Sequence, residues 1–169
     1  MKLVASVALF AAFTASLFAA DESKGQSKYV TEFMKHWANA KELTVAVAEA
    51  MPDEKYGFKP VPEEMSFGEQ ITHIAQANYA YCSRIGAGKS PFSKPATLDK
   101  ATVTKLLGES FDYCSEAIRN LTEDQLNEVK GPMTVREVTE GALMHMAHHR
   151  GQTEVYLRLN GIKPPTYKF

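Results

Sequence analysis

The chain has 169 residues, of which 44% are hydrophobic and 23% are charged, and its formal net charge at pH 7 is −1. This length and composition predict one globular domain that can bury a sizeable core. The near-neutral charge, without any block of Lys or Arg, does not provide the basic surface that binds a phosphate backbone. We therefore do not expect nucleic acid as a partner.

The N-terminal segment is typical of a secretory signal peptide. Lys2 precedes an uncharged apolar run over residues 3–18, and two alanines separate that run from a polar stretch. The run is shorter than the roughly 20 residues of a membrane-spanning helix, which favours cleavage; a retained N-terminal anchor is the alternative. We predict a signal peptide over residues 1–20, a mature domain over residues 21–169, and a periplasmic or secreted protein without stable membrane insertion after cleavage.

Four segments of the mature domain carry apolar residues at spacings of three and four, which predicts four amphipathic helices. The predicted helices cover residues 28–51, 67–85, 99–121 and 135–160. Capping boxes mark the start of the second and fourth, with Ser66 and Glu69 in one and Thr134 and Glu137 in the other. No strand-like alternation is present, and residues 122–129 add at most a short turn of helix. The predicted fold class is all-α, a four-helix bundle.

The connections after the first two helices, residues 52–65 and 86–98, are long enough to run back along a helix. Parallel second and third helices would place Cys82 and Cys114 at nearly the same height. Antiparallel helices would offset them by about 10 Å or more, which is too far for a disulfide. An oxidising compartment outside the cytoplasm would allow the bridge. A disulfide is therefore our hypothesis, and two buried free thiols are the alternative.

His145 and His149 lie four residues apart in the predicted fourth helix and therefore share one face. Two imidazoles at this spacing can bind one transition-metal ion. His73, on the flank of the predicted second helix, could complete a set of three. The zinc-protease motif His-Glu-x-x-His is excluded, because Met146 and Ala147 follow His145.

The two other histidines fit this set less well. His148 is the competing second ligand, since it lies three residues after His145, but it points further from the shared face. His36 lies off the apolar stripe of the first helix and is expected to be solvated. The alternative for all of them is that each histidine is an ordinary polar residue at a helix edge.

Further residues near the predicted site have both a functional and a structural interpretation. Glu69 and Gln152 could each bind the second ring nitrogen of a ligand histidine, although Glu69 is better explained by capping and Gln152 could simply face solvent. Tyr156 and Glu69 are the candidate acids or bases. Gly141 lies in mid-helix, where glycine costs about 1 kcal/mol relative to alanine, so we expect that another group needs room beside it.

Two segments, Met65-Ser66-Phe67-Gly68-Glu69-Gln70-Ile71-Thr72-His73-Ile74 and His145-x3-His149-Arg150-Gly151-Gln152, make the chain recognisable. It resembles the DinB-like family of metal-binding four-helix bundles over essentially all of residues 28–165. The resemblance implies an up-down-down-up topology. It also implies that His73, His145 and His149 hold a divalent ion.

The expected ion is Zn²⁺, Ni²⁺ or Fe²⁺, because imidazole suits all three. Three neutral ligands would leave the full charge on the ion and a position open, so that it could lower the pKa of a bound water or thiol or polarise a carbonyl. The expected function is that of a metal-dependent hydrolase or thiol transferase with a small-molecule substrate. A non-catalytic metal-binding or stress protein, and a bundle that binds no metal, are the alternatives. Turnover and a homodimer are left open.

Overall fold

Five helices and one short hairpin follow one another in the computed structural model, which describes residues 27–86 and 88–167. The predicted signal peptide lies outside these residues. The helices are α1 (Lys28–Ala50), α2 (Phe67–Arg84), α3 (Lys100–Ile118), α4 (Glu123–Leu126) and α5 (Val135–Leu159), and a 3₁₀ turn covers Asp53–Lys55. The four long helices are those predicted from the sequence, so the all-α bundle is confirmed.

The helix starts follow from their capping residues. The Ser66 hydroxyl accepts the Glu69 N–H at 3.2 Å, and the Glu69 carboxylate accepts the Ser66 N–H at 2.7 Å. Thr134 and Glu137 repeat the arrangement at the start of α5, with distances of 3.2 Å and 2.7 Å. Both predicted capping boxes are therefore present, and they fix where α2 and α5 begin.

The hairpin before α5 corrects the prediction that the domain contains no strands. Strand β1 (Val129–Lys130) pairs antiparallel with β2 (Met133–Thr134). Gly131 allows the turn because its φ is 68°. Strands of two residues are too short to produce a detectable alternation, which is why the sequence pattern missed them.

The predicted parallel arrangement of α2 and α3 is confirmed by contacts along both helices. Cys82 and Cys114 form a disulfide with a Cα–Cα distance of 5.2 Å. Four residues earlier on each helix, the Asn78 side-chain amide donates to the Ser110 hydroxyl at 3.1 Å. The disulfide predicted from equal heights is thus formed in the structure, and it links the helix that carries His73 to its parallel neighbour.

Helix α2 packs between α3 and α5, and α1 packs on the other side of the same two helices. Helix α5 runs antiparallel to α2, because the end of α2 at Tyr81 contacts Gly141 whereas Tyr156 donates to the Met65 carbonyl at 3.0 Å, just before α2 begins. The topology is therefore up-down-down-up. In the described part of the chain, no helix combines the length and apolarity needed to cross a membrane.

The core lies between the four long helices and is formed mainly by large apolar side chains. Fully buried examples are Trp37, Phe67, Ile71, Ile74, Leu107, Phe111, Met146 and Leu157. The Trp37 indole packs at 4.9 Å from the Phe111 ring, measured between centroids, and donates to the Phe111 carbonyl at 3.3 Å. This packing fixes the helices and so the relative positions of the histidines on α2 and α5.

Candidate metal centre

Three half-buried histidines converge between α2 and α5. The ring centroid of His73 lies 5.0 Å from that of His145 and 4.6 Å from that of His149, and the latter two rings are 4.5 Å apart. Each residue offers one nitrogen, and these three nitrogens all lie within 4.8 Å of one another. The structure therefore brings together the set that helical spacing and the family resemblance together predict. Metal binding by this set stays a prediction.

Two glutamine side chains orient the ring of His149. Its Nδ1 lies 2.9 Å from the Gln70 Oε1 and 2.8 Å from the Gln152 Oε1. An Nδ1–H group that donates to these oxygens leaves Nε2 unprotonated in the neutral ring. Gln152 is itself oriented, since its side-chain nitrogen lies 3.2 Å from His148 Nε2. The Gln152 contact was predicted, whereas the Gln70 contact was not.

The protein environment favours the neutral form of two of these imidazoles. Burial lowers the pKa of His145 below its ordinary value, and the neighbouring His73 and His148 rings lower it further. Burial and the proximity of His145 and His73 lower the pKa of His149 to about 4, against the opposing effect of its hydrogen bond with Gln152. Neutral rings keep the lone pair that a metal ion requires.

The donor set fits a transition-metal ion. Nitrogens that share a tetrahedral ion at about 2.0–2.1 Å lie about 3.3–3.4 Å apart, so nitrogens within 4.8 Å of one another need to approach by up to about 1.5 Å. The Nδ1 atom of His145 is buried and has no hydrogen-bond partner among the described residues. A buried polar atom without a partner is unfavourable. An ion bound to this nitrogen would supply the missing partner.

The two remaining histidines lie outside the set. His148 is exposed, and the centroid of its ring lies 5.0 Å from that of His149. Its nitrogens are not among the three that converge. Its nitrogen instead contacts Gln152. His36 is exposed on α1, as expected, and is not among the residues whose nitrogens converge.

Two residues proposed as acids or bases have structural roles. The Glu69 carboxylate is held by the Ser66 N–H and lies 3.7 Å from the Lys59 ammonium, so the capping interpretation is the one that the structure supports. Tyr156 is buried and donates to the Met65 carbonyl. The Tyr156 hydroxyl also interacts with Gln70, whose Oε1 contacts His149, so Tyr156 is linked to the histidine cluster through Gln70.

Tyr81 is a neighbour of the cluster that the sequence pattern did not indicate. Its ring centroid lies 6.0 Å from that of His145, and the side chain is half-buried. A Cβ atom on Gly141 would lie 3.1 Å from the Tyr81 Cε1. The mid-helix glycine therefore provides the room that was predicted, and the group that occupies it is Tyr81. No hydrogen bond of the Tyr81 hydroxyl is found within residues 27–86 and 88–167.

Comparison with known proteins agrees with this fold. A family model described as the DinB superfamily matches residues 36–153, which include all three histidines. The chain is 27% identical over 139 residues to the uncharacterized protein YjoA of Bacillus subtilis (strain 168), an alignment that covers 77% of this chain and 90% of YjoA.

Two crystal structures of DinB-like proteins are similar to this one. YjoA from Bacillus subtilis aligns with a TM-score of 0.69 at 24% identity, over 81% of this chain and 98% of YjoA. A protein from Bacillus cereus ATCC 10987 aligns with a TM-score of 0.74 at 22% identity, over 82% and 97% of the two chains. At these identities the structures support the fold alone. The family model covers well over half of the chain, and the protein belongs to the DinB superfamily.

Proposed function

We propose that this protein is an exported metal-binding member of the DinB superfamily, in which His73, His145 and His149 hold one divalent transition-metal ion. The observation that carries the proposal is the approach of three histidine nitrogens to within 4.8 Å of one another. The fixed orientation of His149 supports it, because ligand histidines commonly bind a polar group through their second ring nitrogen. Zn²⁺, Ni²⁺ and Fe²⁺ all suit this donor set.

The ligand set favours a reactive site over a closed structural one. Three neutral imidazoles supply no negative charge and leave room for a further ligand, which is the pattern of catalytic zinc sites. A bound ion would supply Lewis acidity, which lowers the pKa of a coordinated water or thiol or polarises a carbonyl. We therefore propose a metal-dependent hydrolase or thiol transferase that acts on a small molecule.

The chain's own residues would have distinct roles in such a site. Gln70 and Gln152 hold His149 in one orientation through contacts of 2.9 Å and 2.8 Å. The Tyr81 ring lies 6.0 Å from that of His145, between centroids, and among the described residues no hydrogen bond of its hydroxyl is found. It is the candidate to donate a hydrogen bond to a substrate.

The disulfide supports the proposed location outside the cytoplasm. Cys82 and Cys114 are both fully buried and bonded to each other, and such bridges persist mainly in oxidising compartments. The apolar N-terminal segment of the sequence is the independent argument for export.

Metal analysis of protein purified without a His tag tests the proposal. We expect about one equivalent of a divalent transition metal per chain after purification or reconstitution. The His145→Ala variant should lose it, because two ligands remain, whereas the His36→Ala variant should retain it. Wild-type protein that retains no metal after reconstitution would favour the alternative of a bundle without a metal.

A second pair of variants tests the choice between adjacent histidines. His149→Ala should lose the stoichiometric metal, because it removes a member of the cluster. His148→Ala should keep it, since the His148 nitrogen contacts the Gln152 amide and is not one of the three converging nitrogens. The opposite result would show that His148 is the ligand and that the assignment of His149 is wrong.

A further inference from the structure

A cleft of about 330 Å³ lies between α2 and the connection that leads from α2 to α3, and His73 is part of its lining. One wall is α2, with Thr72, His73 and Gln76, and the other is the connection between α2 and α3, with Phe92, Lys94 and Leu98. Pockets that bind small molecules have volumes of about 300–1,000 Å³. The cleft is thus large enough for a small ligand, and one of its walls includes a member of the histidine cluster.

The outer wall is fixed to the body of the bundle at two points. Phe92 packs against Tyr79 of α2, with ring centroids 6.4 Å apart. Leu98 lies directly against Gly68, where a Cβ atom would be 3.0 Å from the Leu98 carbonyl oxygen. Because both points contact α2, the width of the cleft is set by the fold.

The apolar part of the lining comes mainly from Phe92, Leu98 and Met65, all of which are half-buried. An aromatic or aliphatic group could therefore be desolvated there, while the polar side of the cleft is provided by α2. This combination predicts a ligand with an apolar body and at least one polar group.

The charges at the cleft favour a negatively charged ligand. The carboxylate of Glu69, the acidic residue of the lining, is bound to the Ser66 N–H and lies 3.7 Å from Lys59. Lys94 is exposed, and within the described residues no carboxylate forms an ion pair with it. Its ammonium group is therefore available to an anion, and a divalent ion at His73 would add to the positive potential.

We infer that this cleft binds the substrate of the proposed metal centre, and that the substrate is a small anion with an apolar body. Its carboxylate or similar group contacts Lys94, its apolar body packs on Phe92 and Leu98, and its reacting group faces His73. This inference rests on the proposed function. It adds the class of substrate and the residues that select it.

Binding of two matched probes tests the inference without an assay of activity. The probes are 4-phenylbutyrate and its neutral amide, which have the same apolar body. Their dissociation constants are measured by NMR titration of the metal-free and zinc-loaded protein. We expect the carboxylate to bind more tightly than the amide in both forms, because Lys94 is present in both.

Three variants with substitutions in the connection between α2 and α3 separate the contribution of charge to probe binding from that of apolar contact. Lys94→Glu should weaken binding of the carboxylate roughly three- to ten-fold, the range expected when an exposed ion pair is replaced by two like charges, and leave the amide unchanged. Lys89→Glu makes the same charge change in the same connection but outside the cleft lining, so it should have little effect. Phe92→Ala should weaken both probes alike. Thermal melts check that each variant is folded.

The outcomes distinguish this inference from the proposed function. Three results would overturn the inference, even if the protein holds one zinc ion per chain. They are equal binding of the two probes, no binding of either probe, and equal effects of Lys94→Glu and Lys89→Glu. A carboxylate preference present only in the zinc-loaded protein and insensitive to Lys94→Glu would overturn it too, because the anion would then bind the metal. Lys94-dependent binding without any metal uptake would instead refute the metal function.

Discussion

The Oε1 atom of Gln70 on α2 lies 2.9 Å from the Nδ1 atom of His149 on α5. Gln70 is almost completely buried, with 1% of its surface exposed, and buried polar side chains are stable only with hydrogen-bond partners. The contact therefore links two helices and also orients a predicted metal ligand. It makes the geometry of the cluster depend on a residue that would not itself bind the ion.

Replacement of Gln70 should weaken metal binding without abolishing it. Gln70→Met keeps the side-chain volume but removes the oxygen that accepts from His149. We expect zinc affinity to fall about ten-fold, at the low end of the effect of such supporting residues, because Gln152 still contacts His149. Competition with a chromogenic chelator measures the change. Gln76→Met, on the same helix but without a contact to His149, is the control, and equal effects of the two changes would contradict the role of Gln70.

The stability of the metal-free protein should fall as the pH is lowered from 7 to 5. The pKa of His149 is about 4 in the folded chain, below its ordinary value of 6.5. Between these values the unfolded chain binds more protons than the folded chain, so the free energy of unfolding decreases with decreasing pH. The window lies above the titration of carboxyl groups such as Asp99, whose hydrogen bonds with Thr97 and Thr102 lower its pKa to about 2.

Urea denaturation at several pH values, in the presence of a chelator, measures this effect. The His149→Gln variant should lose less stability between pH 7 and pH 5 than the wild type, because it lacks one group whose protonation opposes folding. Identical pH profiles for the two proteins would show that the environment of His149 does not suppress its protonation.

Two glycine-to-alanine changes should have opposite effects on stability. Gly108→Ala should raise the free energy of unfolding by up to about 1 kcal/mol, because nothing lies within 4 Å of the added Cβ. Gly68→Ala should lower it by about 1–3 kcal/mol, because the Cβ would press on the backbone oxygen of Leu98 at 3.0 Å. Urea denaturation of both variants checks the difference. Stabilisation by Gly68→Ala would mean that the connection between α2 and α3 is not held against α2 at Leu98.

Removal of the disulfide should destabilise the domain. Cys82 and Cys114 are 32 residues apart, and chain-entropy estimates for such a loop give about 3–4 kcal/mol. We expect a loss of this size in the Cys82→Ala/Cys114→Ala double variant by urea denaturation. Thiol titration of the denatured, unreduced wild type should find no free thiol, and two free thiols per chain would contradict the bridge.

The helices and their order could be predicted because the relevant signals are local. Capping boxes such as that of Ser66 and Glu69, together with apolar spacing, located the helix ends to within a few residues. The equal heights of the two cysteines, together with the long connections, indicated the parallel arrangement of α2 and α3. The hairpin around Gly131 could not be predicted, because two strands of two residues carry no periodic pattern.

The histidines of the cluster were predictable, but most of their surroundings were not. His145 and His149 lie one helical turn apart, and this spacing can be read directly from the chain. Gln70 is a polar residue next to the buried positions of α2, and this placement in the sequence could have indicated a buried polar contact. The room at Gly141 was predicted, but its occupant, Tyr81, is on another helix, and only the three-dimensional packing identifies it.

An anomalous difference map of a crystal of the metal-loaded protein, recorded at the absorption edge of the metal, tests the central claim most directly. We predict one peak between the rings of His73, His145 and His149, with three imidazole nitrogens at about 2.0–2.1 Å from it. A peak bound to His148 instead of His149, or a fully loaded crystal without a peak at this cluster, would contradict the proposed metal centre.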